Sequence, residues 1–501
     1  MNTFQKNYWS LYLDFLKDFE KITYQGFSLP YLCHLPSYLL RNEKLINELH
    51  QPQFIKQIKN PIKNKAKIQE AFSKFVESHS KKGENQKPKG KIVFHFDKLL
   101  RIPINSIVNE FDSSEFAVLV NSNSIGLSNK NQIGETRKKK KATVIVHDTI
   151  TISKEKIQKS NELQNIRYQM IYLKDYFTPC EADVLEKKKE AIQILNTHSK
   201  HRLYREQEFK RWLLNSMESV IHYINMAKNF LNKNQVSCLV VSTTHSYINR
   251  ILSVVASERG IPTVCMQHGI IASELGFIPK IAKVDAVYGY FEKNFFTQLK
   301  VPDNSVDIIG HPRFDDIRNT STMTKSTFYK KLGLDLNWKT ILMIVRGEND
   351  IDKWRTFIQS ISKKMKVNIL IKNYPSTKPH ALTKEFTFVK PTLNLHLYEI
   401  LPHVDAVVAY PSTVALEAML CQKHVFILNK NFLGYTNYYL GLGEFVRSKP
   451  EKLARQVYQY FNDANVRRVA EEKRKKFLKH AYPSNEKSIK RLKSLIYKLI
   501  H

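Results

Sequence analysis

The chain has 501 residues, 42% hydrophobic and 25% charged, which fits two or three globular domains and excludes a wholly disordered, collagen-like or disulfide-scaffold protein. Its net charge of +33 points to an anionic partner: nucleic acid, an acidic membrane surface or a phosphorylated substrate. Its five cysteines are scattered with no Cys-x-x-Cys. With no P-loop, complete Gly-x-Gly-x-x-Gly or His-Glu-x-x-His either, a zinc ribbon and the commonest nucleotide and zinc-protease signatures are excluded.

Met1–Lys21 mixes aromatics with Asp14, Asp18 and Glu20, unlike a secretory leader. No apolar run approaches the ~18 residues of a membrane span. A cytoplasmic protein is expected, or one lying on the inner face of a membrane. Residues 1–90 read as a helical extension that closes in the polar stretch Ser78–Lys91, a linker by composition. Strand-like runs follow at Ile92–Phe96, Phe116–Val120 and Thr143–Val146, and the basic run Arg137–Lys141 reads as a solvated face. Residues 152–235 look largely helical.

From Val236 the pattern becomes regular. Val236–Ser242 is continuously apolar, as in a strand buried on both faces. A helix-like Ser246–Arg259 ends at Gly260. Strands at Thr263–Met266, Asp285–Tyr288 and Val306–Ile309 follow, with a helix at Phe291–Leu299. A second block carries strands at Thr340–Val345, Val367–Ile371, Phe386–Val389, Ala406–Ala409 and Val425–Leu428. Two runs of βα alternation imply an α/β protein with two Rossmann-like, doubly wound parallel sheets facing a cleft, and extra helices at both termini. The expected domains are residues 91–320 and 321–450, with helices over 451–501. In the last of these, Ile489, Leu492, Ile496 and Leu499 form an apolar stripe among lysines. Such a stripe packs on a core, or lies on anionic lipid.

The charge is uneven: net +8 over residues 51–100, +9 over 451–501 and zero over 236–320. The neutral central block and the lack of a binding motif argue against nucleic acid.

Four clusters follow strands, where open α/β sheets bind ligands. In Gln267-His268-Gly269 the glycine permits a tight turn and His268 can take a proton. In Gly310-His311-Pro312-Arg313-Phe314-Asp315, Arg313 offers a fork for phosphate, or ion-pairs locally with Asp315 in an interdomain hinge. In Lys372-Asn373-Tyr374-Pro375 the lysine can reach a phosphate as a point charge. In Asp405–Ala418, Ser412 or Thr413 sits at a helix N-terminus, an anion site, and Glu417 one turn on can accept from ribose hydroxyls. The loop at Gly347 can approach a phosphate through its backbone. Asp350-Ile351-Asp352 reads as a helix start rather than a metal ligand pair. Gly441-Leu442-Gly443 lacks the third glycine of a nucleotide loop.

The order and spacing of these four clusters, over roughly Val236–Leu428, resemble the GT-B glycosyltransferases of bacterial surface polysaccharides. The similar groups are capsule-polysaccharide transferases, CDP-glycerol glycerophosphotransferases and polysialyltransferases. The resemblance implies a nucleotide-activated donor (CMP-, CDP-, UDP- or GDP-linked) held by the C-terminal half, with no metal. Lys372, Tyr374 and Pro375 match a Lys-x-His-Pro motif, with Tyr374 in the place of the histidine. Ser412-Thr413 match a phosphate-binding pair, Glu417 a ribose-contacting glutamate, and His268 a histidine proposed as catalytic. Gln267, Gly269, His311 and Arg313 fall around the interdomain cleft. Relatives often carry Gly and Pro where this chain has Gln422 and His424. The expected reaction moves a sugar or polyol phosphate to a polysaccharide or lipid-linked acceptor. The alternatives are a nucleotide-sugar 2-epimerase of the same fold and a basic nucleic-acid-binding protein.

Overall fold

The computed structural model describes residues 1–80, 88–121, 168–317, 323–374, 378–392, 394–430, 432–483 and 486–501. The expected strand Thr143–Val146, the run Arg137–Lys141, Pro375 and the boundary at 320/321 lie outside these residues.

Seven strands form the N-terminal sheet: β1 (Lys91–His95), β2 (Phe116–Val120), β3 (Gln169–Tyr172), β4 (Val236–Val241), β5 (Thr263–Met266), β6 (Val284–Val287) and β7 (Val306–Ile308). All pair in parallel, in the order β3-β2-β1-β4-β5-β6-β7. Six form the second: β8 (Lys339–Arg346), β9 (Val367–Tyr374), β10 (Val389–Pro391), β11 (Ala406–Ala409), β12 (His424–Leu428) and β13 (Val446–Arg447). They too are parallel, in the order β10-β9-β8-β11-β12-β13. Each order reverses once, beside β1/β4 and β8/β11, and a doubly wound sheet opens its crevice at such a switch point.

The central strands form because their residues are apolar on both faces: every residue of β4, β5, β6, β11 and β12 is buried. Two sequence expectations change. Phe386–Phe388 is the turn after the short helix Leu382–Glu385, and the ladder begins only at Val389, opposite Ile369. Gln169–Tyr172, within the stretch read as largely helical, is an edge strand.

The first 80 residues are mostly helical and share one apolar core with the N-terminal sheet, running from Phe4 to Val306. Helix α1 (Thr3–Phe19) is capped reciprocally by Asn2 and Gln5 and buries Tyr8, Trp9, Tyr12 and Phe15. Two side chains of this region reach the loop that follows β5. Trp9 Nε1 donates to Glu274 at 2.8 Å and Lys65 pairs with the other oxygen of that carboxylate at 2.8 Å. The N-terminal helices therefore hold that loop in place.

The C-terminal helix α2 (Ser488–Ile500) crosses back to the first sheet. Its stripe, Ile489, Leu492, Leu495 and Ile496, is buried against Phe94, Ile107 and Val264. The packing alternative holds for this helix. Asp315 caps it, accepting from the amides of Ser488 at 2.8 Å and Ile489 at 3.0 Å. Gly310 has φ +75°, and a Cβ there would lie 2.4 Å from the Tyr482 hydroxyl, so only glycine fits the turn that meets this crossing.

Candidate functional site

The Gln267-His268-Gly269 loop leaves β5 at the edge of the cleft. Gln267 is consumed locally: its amide donates to Gly269 O at 2.7 Å and to Glu292 at 2.9 Å, and its oxygen accepts from Tyr288 N at 2.8 Å. That lattice fixes the turn and leaves the His268 ring stacked on Phe277, 4.8 Å between centroids and 7° apart in plane. Burial, then the charges of Arg101 and Arg313, push His268 down to about 4, with Asp97 pulling the other way. The imidazole is neutral at pH 7.

The loop seats directly on the second domain. Helix α3 (Thr413–Leu420) begins after Ser412. Thr413 Oγ1 accepts from the amide of Ile270 at 3.1 Å, and Gly269 packs so closely that a Cβ would stand 3.0 Å from the same oxygen. A second seam runs beside it, where Ser273 Oγ donates to Leu433 O at 2.7 Å and Thr436 N to Ala272 O at 3.1 Å.

Ser412 occupies the N-cap position, but its hydroxyl makes no cap bond and is buried. The first amides of α3 are left for another acceptor, and a helix N-terminus favours an anion.

Arg313 also departs from the local alternative. Asp315 is engaged by α2, and Arg313 instead crosses the cleft to Glu417, 3.7 Å away, while donating to Tyr288 OH at 3.0 Å. Its Nε is buried without a partner. Glu417 accepts from Tyr398 OH at 2.9 Å, which leaves its second oxygen facing Arg313. His311 is fully buried. Burial first, then Arg313 and Arg101, hold it well below its ordinary value.

Tyr374 shares this field: burial and Glu417 raise its phenol, and Arg101 and Arg313 lower it. Lys372 stands apart. Its ammonium donates to Leu395 O at 2.7 Å and lies 5.7 Å from the Tyr374 ring centre. Gly347 takes φ +55° with open space where a Cβ would be. Its amide is already donated to Asn373 Oδ1 at 2.8 Å and Tyr374 O at 3.1 Å, so that N–H does not await a phosphate. Asp352 lies in the first turn of a helix, as its sequence suggested, and pairs with Arg355. Among the described residues no group of three His, Cys, Asp or Glu side chains is placed to hold a metal.

Two features escaped the sequence reading. Arg101 lies in the loop after β1, with φ +52°, exposed to the cleft and within the fields of His268, Arg313 and Glu417. A non-glycine residue in that conformation is held there by its surroundings. At the β1/β4 switch point, Asp97 accepts from Ser242 Oγ at 2.6 Å and Asn249 Nδ2 at 3.1 Å, which sets the loop carrying Arg101. Arg101 and Arg313, both from the N-terminal domain, share one field with Glu417 of α3, and Asp97 adds a second carboxylate near His268. Such a set can hold a diphosphate.

Beside it lies a cavity of 540 Å³ between the domains. Ile270, Ala272 and Phe277 form one wall; Arg346, Asp350, Lys353, Trp354, Tyr410 and Lys430 line the other.

No protein-family model and no curated protein sequence matches the chain. Solved structures do. UDP-GlcNAc 2-epimerase from Neisseria meningitidis bound to UDP-GlcNAc is 11% identical with a TM-score of 0.50, covering 82% of this chain and 99% of that one. The S. aureus MnaA–UDP structure is 10% identical with a TM-score of 0.50, covering 82% and 97%. The wall teichoic acid polymerase TagF is 13% identical with a TM-score of 0.45, covering 93% and 97%. The likeness at 0.50 is one of architecture, and with two doubly wound parallel sheets across a cleft the chain has the GT-B fold.

Proposed function

We propose that the chain is a glycosyltransferase, moving a sugar or polyol phosphate from a nucleotide-activated donor to a polysaccharide or lipid-linked acceptor. The observation that carries this reading is Arg313 reaching Glu417 of α3 at 3.7 Å across the cleft, with no cap bond from Ser412 at that helix's N-terminus and Arg101 in the same field. A leaving nucleotide there, a nucleoside mono- or diphosphate according to the donor, would have its developing charge met by guanidinium groups and by helix amides. Glu417 would take the ribose through the oxygen that Tyr398 leaves open, and Tyr374 would flank the base.

His268 is the base that takes the acceptor proton. A pKa of about 4 makes it a weak base on its own. Part of that depression comes from Arg101 and Arg313, and a bound diphosphate offsets their charge. Donor binding therefore raises the basicity of His268 when it is needed.

A 2-epimerase needs one ligand, whereas the 540 Å³ cavity adjoining the cationic set suits a second substrate. Thermal stability with CMP, CDP, UDP and GDP tests the donor site. At ~100 times its dissociation constant a ligand adds about 2.7 kcal/mol. One nucleotide should raise the wild-type midpoint, and Ser412→Ala and Arg313→Ala should each lose most of that rise. No rise with any nucleotide overturns the donor reading. Epimerisation of a nucleotide sugar incubated without acceptor, retained in the absence of any transfer, favours the alternative.

A further inference from the structure

The 540 Å³ cavity shares no lining residue with the Arg101–Arg313–Glu417 set. Phe277 is its border: one side lines the cavity and the ring stacks on His268. Phe277 thus links the cavity wall to the imidazole of His268.

The cavity wall has its own chemistry. Arg346, Lys353 and Lys430 bring three cations, against the single carboxylate of Asp350. Asp350 sits at the N-cap of the helix Ile351–Ser362 with φ +56° and makes no cap bond. Its carboxylate turns instead to Lys430 at 2.6 Å and Lys353 at 3.6 Å, holding both at the rim. Arg346, at the end of β8, has no ion pair among the described residues and lies in the field of Tyr410. Asn349 and Asn429 add amides, and Trp354, Tyr410 and Phe432 add ring surface. Ring faces with a few polar groups suit a sugar chain, and excess positive charge suits an acidic one.

We propose that this cavity is the acceptor subsite and that it selects an anionic saccharide chain, one bearing carboxylates or phosphodiesters. The inference rests on the transferase reading of the neighbouring set. The acceptor hydroxyl enters past Phe277 to His268, and the negative groups one or two units back lie on Arg346, Lys353 and Lys430.

Trp354, 2% exposed and in the cavity wall, supplies the readout. Tryptophan fluorescence of the full chain is titrated with oligogalacturonate, with a glycerol-phosphate oligomer and with neutral maltohexaose. The signal is assigned through Trp354→Phe. One or both acidic chains should bind, and maltohexaose about tenfold more weakly or not at all. Arg346→Ala should weaken the acidic chain by about tenfold, the size of one lost charge-assisted contact. Binding of the carboxylate chain alone names a uronic- or sialic-type acceptor; binding of the phosphodiester alone names a teichoic-type polymer.

A chain of this net charge attracts any polyanion, so the control is Lys476→Ala with Lys479→Ala, exposed on the helix Ala464–Ala481. Equal weakening in that control overturns the proposal. So does equal binding of maltohexaose, or failure of both acidic chains to bind. Nucleotide stabilisation is measured on the same samples. Loss of that signal with cavity binding intact strikes the donor reading, and the reverse strikes this one.

Discussion

Replacing Gly269 by alanine probes the closest approach of the two domains. The added Cβ would stand 3.0 Å from Thr413 Oγ1, the oxygen that accepts from the amide of Ile270 at 3.1 Å. Overpacking of this kind costs ~1–3 kcal/mol, and displacing the hydroxyl from a half-buried amide adds about 1 kcal/mol. The interaction has a partner, so a double-mutant cycle isolates it. Thr413→Ala alone loses the hydrogen bond, about 1 kcal/mol. In the Thr413→Ala background the methyl of Gly269→Ala finds room, and the two penalties should fall short of their sum by ~1 kcal/mol. Thr413→Val keeps the bulk without the hydroxyl, so there the Gly269→Ala penalty should persist. Thermal midpoints by calorimetry give the cycle, and nucleotide affinity gives a second reading, since the same loop carries His268. Strict additivity, or an unchanged midpoint in Gly269→Ala, would refute the seating of this loop on α3.

Burial elsewhere gives two further expected outcomes. His424 lies among the rings of Phe426, Phe445 and Tyr460, and burial, then Arg474, pushes it down to about 3. Above pH ~6.5 it is neutral folded or unfolded. As pH falls from there toward 3, the unfolded chain binds the proton first, so stability drops by up to roughly 1.4 kcal/mol per unit. Midpoints between pH 7.5 and 4.5 should fall less steeply in His424→Phe than in wild type, and equal slopes would remove His424 as a cause. Leu492 is fully buried under the first sheet. Leu492→Ala should cost ~2–5 kcal/mol and leave vesicle association unchanged; a stable variant that loses vesicle binding would instead put this stripe on lipid.

The strands were legible where burial is complete. Val236–Val241 and Ala406–Ala409 read as continuous apolar runs because both faces of a parallel strand are covered. Gln169–Tyr172 is half exposed at a sheet edge and Val446–Arg447 is two residues long, so neither leaves a pattern. Candidate residues next to a strand end could be named for the same reason: the strand announces the sheet edge, and a glycine or a helix start marks the loop beyond it. Arg101 carries no such mark. Its conformation is imposed by Asp97, Ser242 and Asn249, and the last two lie on β4's side of the switch point, far along the chain. The pairing of Thr413 with Ile270 spans 143 residues and exists only once both sheets are closed.

That gap bears on the chemistry. His268 was visible as a residue, but its acidity is set by burial and then by charges from other elements: Arg101 and Asp97 after β1 and Arg313 after β7. With Arg101 removed, burial still depresses the imidazole, but one of the two charges that a diphosphate would neutralise is gone. The shift in His268 basicity on donor binding should then shrink.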